Sequence, residues 1–285
     1  MIRFPPKKIL VAYDMSDVSR TAWRHAAALA ATCGAALEAV YVESWAQGGE
    51  LMPPLPSPDM STARAAELRR TIRKVVGAET KVVILRGDPA SGVLNHARRH
   101  RSDLIVVGTH GRTGLNRMIL GSVAEAVIRG ARVPVLAARG RPRTVASILA
   151  PVNFTPYSDY GFSYAAAASA GLSARLTVLH VENDPIWGGN PEYKMTRLLA
   201  RLPDGIRRKF DTSRKAIVGD PVDGILQARR GSDWIVMVAH EKSLVKDAFF
   251  GTTLEQVLRR STIPVLAVPA SDSPLFSMRV LAGAA

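Results

Sequence analysis

The chain has little cysteine: among 285 residues there is a single thiol, Cys33, so no internal disulfide can form. A lone thiol is typical of a protein that folds in a reducing compartment. Cys33 lies near the end of a predicted helix, and we expect it to be a small buried side chain rather than a redox group. Stability must therefore come from packing, and the length is sufficient for two domains of ordinary size.

Long apolar runs are also missing from the sequence. No stretch approaches the roughly 20 residues that span a bilayer, and residues 1–8 lack the apolar core of a secretory signal. We therefore expect a cytoplasmic protein that has no membrane partner.

Aromatic residues are scarce, at 6% of the chain, although the formal net charge is +14. Proteins that bind single-stranded nucleic acid combine positive charge with aromatic side chains that stack on bases. Here the basic residues form short groups on predicted helices or between the two halves, with no interleaved aromatics and no nucleic-acid-binding motif. We predict no specific nucleic-acid partner and only non-specific affinity for polyanions at low salt.

Patterns typical of metal sites and of common catalysts are absent too. His96 and His100 stand at helical spacing, and we interpret them as an exposed helix face rather than as metal ligands. The sequence shows no Ser-His-Asp set, no paired carboxylates and no Walker A loop. We therefore predict no metal site and no catalytic residues, and fast catalysis is not expected.

Short apolar strands alternate with helices in what the sequence does contain. In the first half we predict strands over 7–14, 37–42, 81–85, 104–107 and 132–137, with helices over 18–32, 61–76, 89–100 and from 122 onward. This alternation predicts parallel β-α-β units with right-handed crossovers. Glycines and four prolines between residues 48 and 58 predict a mobile flap.

The second half of the chain repeats the first. Three segments recur at matching spacing: 9–14 at 148–153, 87–89 at 219–221, and 102–106 at 232–236. We predict an α/β fold of two tandem doubly wound, Rossmann-like domains, each with a five-stranded, mainly parallel sheet. The predicted domains are residues 1–142 and residues 143–285.

The most specific pattern lies in residues 103–123, where a predicted strand leads through a glycine-punctuated loop into a helix. Gly108 and Gly111 leave room for a ligand to approach the backbone, and Gly121 and Ser122 stand at a helix start with unpaired N–H groups. Such a terminus favours phosphate through its free donors and its positive dipole end. Taken singly, these residues are equally compatible with a tight turn and an ordinary serine cap.

The spacing Gly108-x2-Gly111-x9-Gly121-Ser122 resembles the nucleotide-binding motif of the universal stress protein family, in its ATP-binding branch. The resemblance covers both halves of the chain. It implies that ATP, or alternatively ADP or AMP, binds the first copy with or without Mg²⁺, in a stress-response sensor or scaffold with an unknown protein partner. Together with the chemistry of the residues, it gives these candidate nucleotide contacts: Ala12, Tyr13, Asp14, Val42, Val107, Gly108, His110, Gly111, Arg112, Gly121, Ser122 and Val123.

Several alternatives stay open at this point. Asp14 ends the first strand, and it either contacts ribose hydroxyls or a hydrated divalent ion, or caps the next helix. His110 and Arg112 are loop residues within reach of a phosphate. A slow ATPase or nucleotide hydrolase is one alternative function, and a binding module for a different ligand in the second copy is another.

The second copy departs from the motif. Gly108 corresponds to Val238, Gly111 to Glu241 and Asp14 to Asn153, and only the pair Gly251-Thr252 is kept. We predict that Val238 fills the ligand space and that the Glu241 carboxylate repels phosphate, so that only the first copy binds ATP. Family members commonly pair their last strands between subunits, and we expect strands 133–137 and 263–268 to pair within this chain as a pseudo-dimer, with a homodimer as a further option.

Overall fold

The computed structural model describes residues 4–44, 62–109, 120–183, 189–239 and 252–270. The predicted flap lies almost entirely outside these residues. The first half comprises β1 (Lys8–Ala12), α1 (Asp17–Cys33), β2 (Ala36–Glu43), α2 (Thr62–Val76), β3 (Lys81–Arg86), α3 (Pro89–His100), β4 (Leu104–Gly108), α4 (Ser122–Gly130) and β5 (Val135–Ala138).

The second half follows the same plan with one extra short helix. Its elements are β6 (Ser147–Pro151), α5 (Pro156–Leu172), β7 (Arg175–Glu182), α6 (Pro191–Ala200), α7 (Asp204–Arg207), β8 (Thr212–Val218), α8 (Pro221–Ala228), β9 (Trp234–Ala239), α9 (Thr252–Arg260) and β10 (Val265–Pro269).

The strands form one sheet in the order β3-β2-β1-β4-β5-β10-β9-β6-β7-β8. Neighbouring strands are parallel within each copy, and the two copies join where β5 and β10 pair antiparallel, with Leu136 opposite Leu266. The predicted α/β architecture is confirmed, and so is the pairing of the last strands within one chain. Each of these strands begins two residues later than predicted, at Val135 and Val265, directly after a proline.

Helices cover both faces of the sheet, as the unbroken apolar strands require. One buried cluster joins the sheet to α1, α2, α5, α6 and α7, and a second joins it to α3, α4, α8 and α9. We refer to these as the α1 face and the α4 face. Successive residues of a strand point to opposite faces, so the face of each side chain follows from its position.

His96 corrects one prediction from the sequence. Its side chain is buried on α3 at 6% exposure, and its Nε2 atom lies 3.1 Å from Glu38 Oε2. The other oxygen of Glu38 lies 2.8 Å from Lys81 Nζ, while the exposed His100 stacks on the His96 ring at 3.9 Å. Position 96 shares its helix face with residues packed on the sheet, such as Val93, so the pair is only half exposed.

Burial on its own would raise the pKa of Glu38, but the contacts and positive charges of Lys81 and His96 outweigh it, so this pKa lies below its usual range. At the end of α1, burial raises the pKa of the Cys33 thiol to about 11, so little thiolate forms near neutral pH. Within the described part of the chain, each helix is too short or too polar to cross a bilayer.

Candidate functional site

A cleft of about 350 Å³ opens at the carboxyl ends of β1, β2 and β4. Its walls are the first turns of α1, α3 and α4. The chain leaves β1 for β2 on one side and returns to β4 on the other, so the cleft lies at the point where the strand order reverses. Open α/β sheets bind their ligands at such points, and the volume is in the range of small-molecule sites.

Nine of the twelve predicted contact residues line this cleft. They are Ala12, Tyr13, Asp14, Val42, Val107, Gly108, Gly121, Ser122 and Val123. The other three, His110, Gly111 and Arg112, lie outside the described residues. The structure thus brings the described part of the predicted set together, and its role in binding stays a prediction.

The first turn of α4 points its backbone donors at this cleft. Gly121 is the N-cap residue and, as a glycine, has no side chain that could cap the helix, while its own N–H donates to Thr109 O at 2.9 Å. Ser122 is the first helical residue, so the alternative of an ordinary serine cap is wrong. Five other helices have side-chain caps, from Ser16, Asp88, Thr155, Asn190 and Asp220. The first N–H groups of any helix have no intrahelical partner, and in α4 no side chain of the N-cap residue occupies them.

Asp14 shapes the turn that leads into α1. Its Oδ1 atom accepts the Ser16 N–H at 3.0 Å, and Ser16 Oγ in turn accepts the Ser19 N–H at 3.1 Å as the helix cap. Between them Met15 takes the left-handed conformation, with φ of 66°. The cap of α1 is thus Ser16 rather than Asp14; Asp14 orders the preceding turn and lines the cleft, and its contact with a ligand stays a prediction.

Gly108 is required for a reason that differs from the predicted one. A Cβ atom at Gly108 would lie 2.9 Å from both the carbonyl carbon and the oxygen of Val18. That is a clash with the backbone of α1 on the far face of the sheet. The absent side chain therefore lets α1 pack closely on β4, and this packing brings the start of α1 to the edge of the cleft.

The three residues assigned to the adenine pocket occupy different environments. The ring of Tyr13 is buried in the α1-face cluster, and its N–H donates to Val40 O at 2.9 Å. Ala12 and Val42 pack with the α4-face cluster, and a Cβ atom at Gly92 of α3 would stand 3.0 Å from Val42 Cγ2. The position of Val42 is thus compatible with a contact between its side chain and the base. The ring of Tyr13 is buried elsewhere, so we now predict that Tyr13 contacts the nucleotide through its main chain.

The cleft also contains residues that the sequence analysis did not select. They are Ser16, Ser19, Val40, Tyr41, Ser44, Pro89, Val93 and Ala124. Most of them lie in the first turn of a helix or at the end of a strand. The Asp88-Pro89 helix start was visible in the sequence. In a parallel β-α-β sheet every helix that follows a strand starts at the carboxyl edge, and this rule would have placed Pro89 in the cleft.

Val238, which replaces the motif glycine in the second copy, is partly buried at the end of β9. Its side chain packs against the α1-face cluster, with Val238 Cγ2 lying 3.4 Å from a Cβ atom placed on Gly161 of α5. The preceding residue, Met237, belongs to the α4-face cluster. Residues 240–251, including Glu241, lie outside the described residues, so the obstruction of the second crevice by Val238 and Glu241 stays a prediction.

The described residues contain no group of three or more histidine, cysteine, aspartate or glutamate side chains placed to hold a metal ion. Among the described residues that line the cleft, Asp14 supplies a carboxylate and none is a histidine. The site is thus a wall of strand ends, helix starts and small side chains, suited to binding through main-chain donors.

Comparison with known proteins agrees with this architecture. The sequence model of the universal stress protein family matches residues 5–139 and again residues 145–269. The chain belongs to this family. It carries two tandem copies of the family domain, and the predicted boundary at 142/143 falls between the two matches but stays a prediction.

Individual relatives match either one copy or both. A universal stress protein of Methanocaldococcus jannaschii is 35% identical over 145 residues, which cover 46% of this chain and 80% of the relative. One from Mycolicibacterium smegmatis is 23% identical over 283 residues, covering 91% of this chain and 96% of the relative. The crystal structure of a universal stress protein from Archaeoglobus fulgidus superposes with a TM-score of 0.72 at 19% identity, covering 94% of this chain and all of that one, and shows the same fold.

Proposed function

We propose that the first copy of this universal stress protein binds an adenine nucleotide, ATP in the first place, and that the protein acts as a stress-response sensor or scaffold. The observation that carries the proposal is the start of α4, where the N-cap residue is a glycine with no side chain and where the first turn lines a cleft at the strand-order reversal. The family resemblance supplies the identity of the ligand. The geometry supports an anion at this position.

In this arrangement the phosphates bind at α4 and the base binds farther along the cleft. The N–H groups of the first turn of α4 and the exposed hydroxyl of Ser122 are the donors available to phosphate oxygens. Val40, Val42 and Val107 give the cleft an apolar wall on the α4 face, which suits an uncharged base. Asp14 at the end of β1 is the acceptor placed for ribose hydroxyls.

A Mg²⁺ ion that accompanies the nucleotide would fit the same residues. Magnesium commonly binds through one or two carboxylates together with substrate phosphates and water. Asp14 supplies one carboxylate at the cleft, and the described residues provide no protein cage that would hold the ion without the nucleotide. We therefore expect Mg²⁺ to bind with ATP rather than before it.

We expect this site to bind ATP but to hydrolyse it slowly. Asp14 is the single carboxylate among the described residues of the cleft, and its Oδ1 atom already accepts the Ser16 N–H, so it is poorly placed to act as a general base. Phosphate release should therefore stay far below the roughly 1 to 10³ turnovers per second of typical enzymes. Release of tens of phosphates per second, abolished by Asp14→Asn, would instead support the ATPase alternative.

Calorimetric titration of two matched variants tests the proposal. Gly121→Val places a branched side chain at the phosphate end of α4 and should abolish ATP binding in a folded protein. Gly251→Val makes the same change at the corresponding position of the second copy and should leave ATP affinity unchanged. Equal ATP affinity in the unmodified chain and a folded Gly121→Val variant would refute the assignment. We also propose that the protein is cytoplasmic and that it acts on a protein partner whose identity is unknown.

A further inference from the structure

Helices α4 and α9 meet across the boundary between the two copies. Glu125 lies one turn into α4 and contacts two guanidinium groups. Arg129 of the same helix places Nη2 at 2.8 Å from Glu125 Oε1, and Arg259 of α9 places Nη2 at 3.7 Å from Glu125 Oε2. The Glu125 side chain is only 20% exposed, so water screens its charge incompletely.

A side chain of the first copy also contacts the main chain of the last turn of α9. Arg139, just beyond β5, directs Nη2 at the carbonyl oxygens of Leu258 and Arg259, the latter at 3.4 Å. Burial lowers the pKa of Arg139 to about 10, so it is still a cation at neutral pH. Within α9, Glu255 Oε1 accepts from Arg259 Nε at 3.0 Å and lies 2.8 Å from its Nη2, so the Arg259 guanidinium is shared between Glu255 and Glu125. Arg259 is thus fixed beside Glu125 from both ends.

The charge of Glu125 matters because of where it stands. The start of α4 attracts an anion through its free N–H groups and the positive end of the helix dipole. A carboxylate one turn away stabilises that helix end when the cleft is empty, but it repels a phosphate bound there. Pairing the carboxylate with cations reduces this repulsion, and one of those cations belongs to the other copy.

We propose that Arg259 is a positioning residue for the nucleotide site of the first copy: with Arg129 it balances the charges of Glu125 and Glu255 beside the phosphate-binding end of α4. The inference rests on the proposed function. It gives the second copy a defined task, because the affinity of the first copy for ATP then depends on a side chain that only the second copy supplies.

Titration of ATP into the full chain tests this with three variants and a control. Arg259→Gln should weaken ATP binding roughly 3- to 10-fold, the effect expected of one unbalanced charge near a helix end. Glu125→Gln combined with Arg259→Gln should restore the affinity to within about twofold, and Glu125→Gln alone should not weaken it. The control is Arg260→Gln, whose side chain pairs with Asp223 inside the second copy at 2.6 Å and should not affect ATP binding.

The salt dependence of binding separates charge from structure. The deficit of Arg259→Gln should shrink in about 0.5 M salt, which screens the uncancelled charge. Unchanged affinity in Arg259→Gln, or a loss that Glu125→Gln fails to restore, overturns the inference while ATP binding by the unmodified chain still stands. Failure of the unmodified chain to bind ATP overturns the proposed function and the inference together.

Discussion

Val238 packs against Gly161: a Cβ atom placed on Gly161 would lie 3.3 Å from Val238 N and 3.4 Å from Val238 Cγ2. The first copy has the opposite arrangement, in which Gly108 lies under the backbone of α1 at Val18. Each copy therefore keeps strand and helix in contact by making one partner small, but the glycine is on the strand in one copy and on the helix in the other. The two contacts lie at different helix positions: counted from the caps Ser16 and Thr155, Gly161 corresponds to Ala22, and Val18 corresponds to Tyr157.

Val238→Gly should therefore fail to create a second ATP site. It should lower the free energy of unfolding by about 2 kcal/mol, because it removes a packed side chain and adds backbone freedom. Urea unfolding measures the loss, and calorimetry should still give one ATP per chain. Val238→Ala is the control and should cost less. A second ATP site in Val238→Gly would show that the Val238 side chain obstructs the second crevice. Glu241→Gly tests separately whether the Glu241 carboxylate repels phosphate there.

The sequence was sufficient for the elements but not for their side-chain environments. Alternating apolar strands and helices, with the repeat, predict β1 to β5 and their counterparts because these patterns are local. The packing of Gly161 against Val238, the burial of His96 against Glu38, and the contact of Glu125 with Arg259 each depend on the face that a distant residue presents. The motif and the strand ends can be read along the chain, and the described residues that they select lie in one cleft, while their role in binding stays a prediction.

Gly108→Ala should damage both folding and binding. The added methyl would lie 2.9 Å from the backbone of Val18, and relieving this clash should cost about 1–3 kcal/mol of stability. Because α1 must shift, the turn at Asp14 and Ser16 moves with it, and ATP affinity should fall.

Gly34→Ala is the matched control for that variant. Gly34 ends α1 with φ of 62° and has open space around it, so alanine there costs about 1 kcal/mol through backbone strain alone. It should leave ATP affinity unchanged, since Gly34 lies at the opposite end of α1 from the cleft. Comparable ATP affinity in both variants would show that Gly108 does not position the cleft.

The carboxylate of Glu38 should make stability depend on pH. Its folded pKa is depressed, so its contribution is fully present above the unfolded value of about 4.3 and is lost as the pH falls through the folded pKa. Urea unfolding from pH 7 to pH 3 should show a steeper decline for the unmodified chain than for Glu38→Gln. Glu67→Gln removes a 63% exposed carboxylate and serves as the control, with a curve parallel to that of the unmodified chain. Parallel curves for Glu38→Gln as well would contradict this assignment.

The pairing of β5 with β10 predicts how an isolated first copy behaves. In the full chain β5 forms its antiparallel ladder with β10, and Leu136 is fully buried there. A fragment of residues 1–144 would expose this apolar edge. Because the β5–β10 contact relates equivalent strands by a pseudo-twofold axis, two fragments can pair β5 with β5 in the same antiparallel manner. The fragment should therefore dimerise or aggregate. In the full chain β10 already covers this edge, so no second chain is needed there. Light scattering across a concentration series measures this, and a stable soluble monomer of the fragment at high concentration would show that the edge is not what joins the copies.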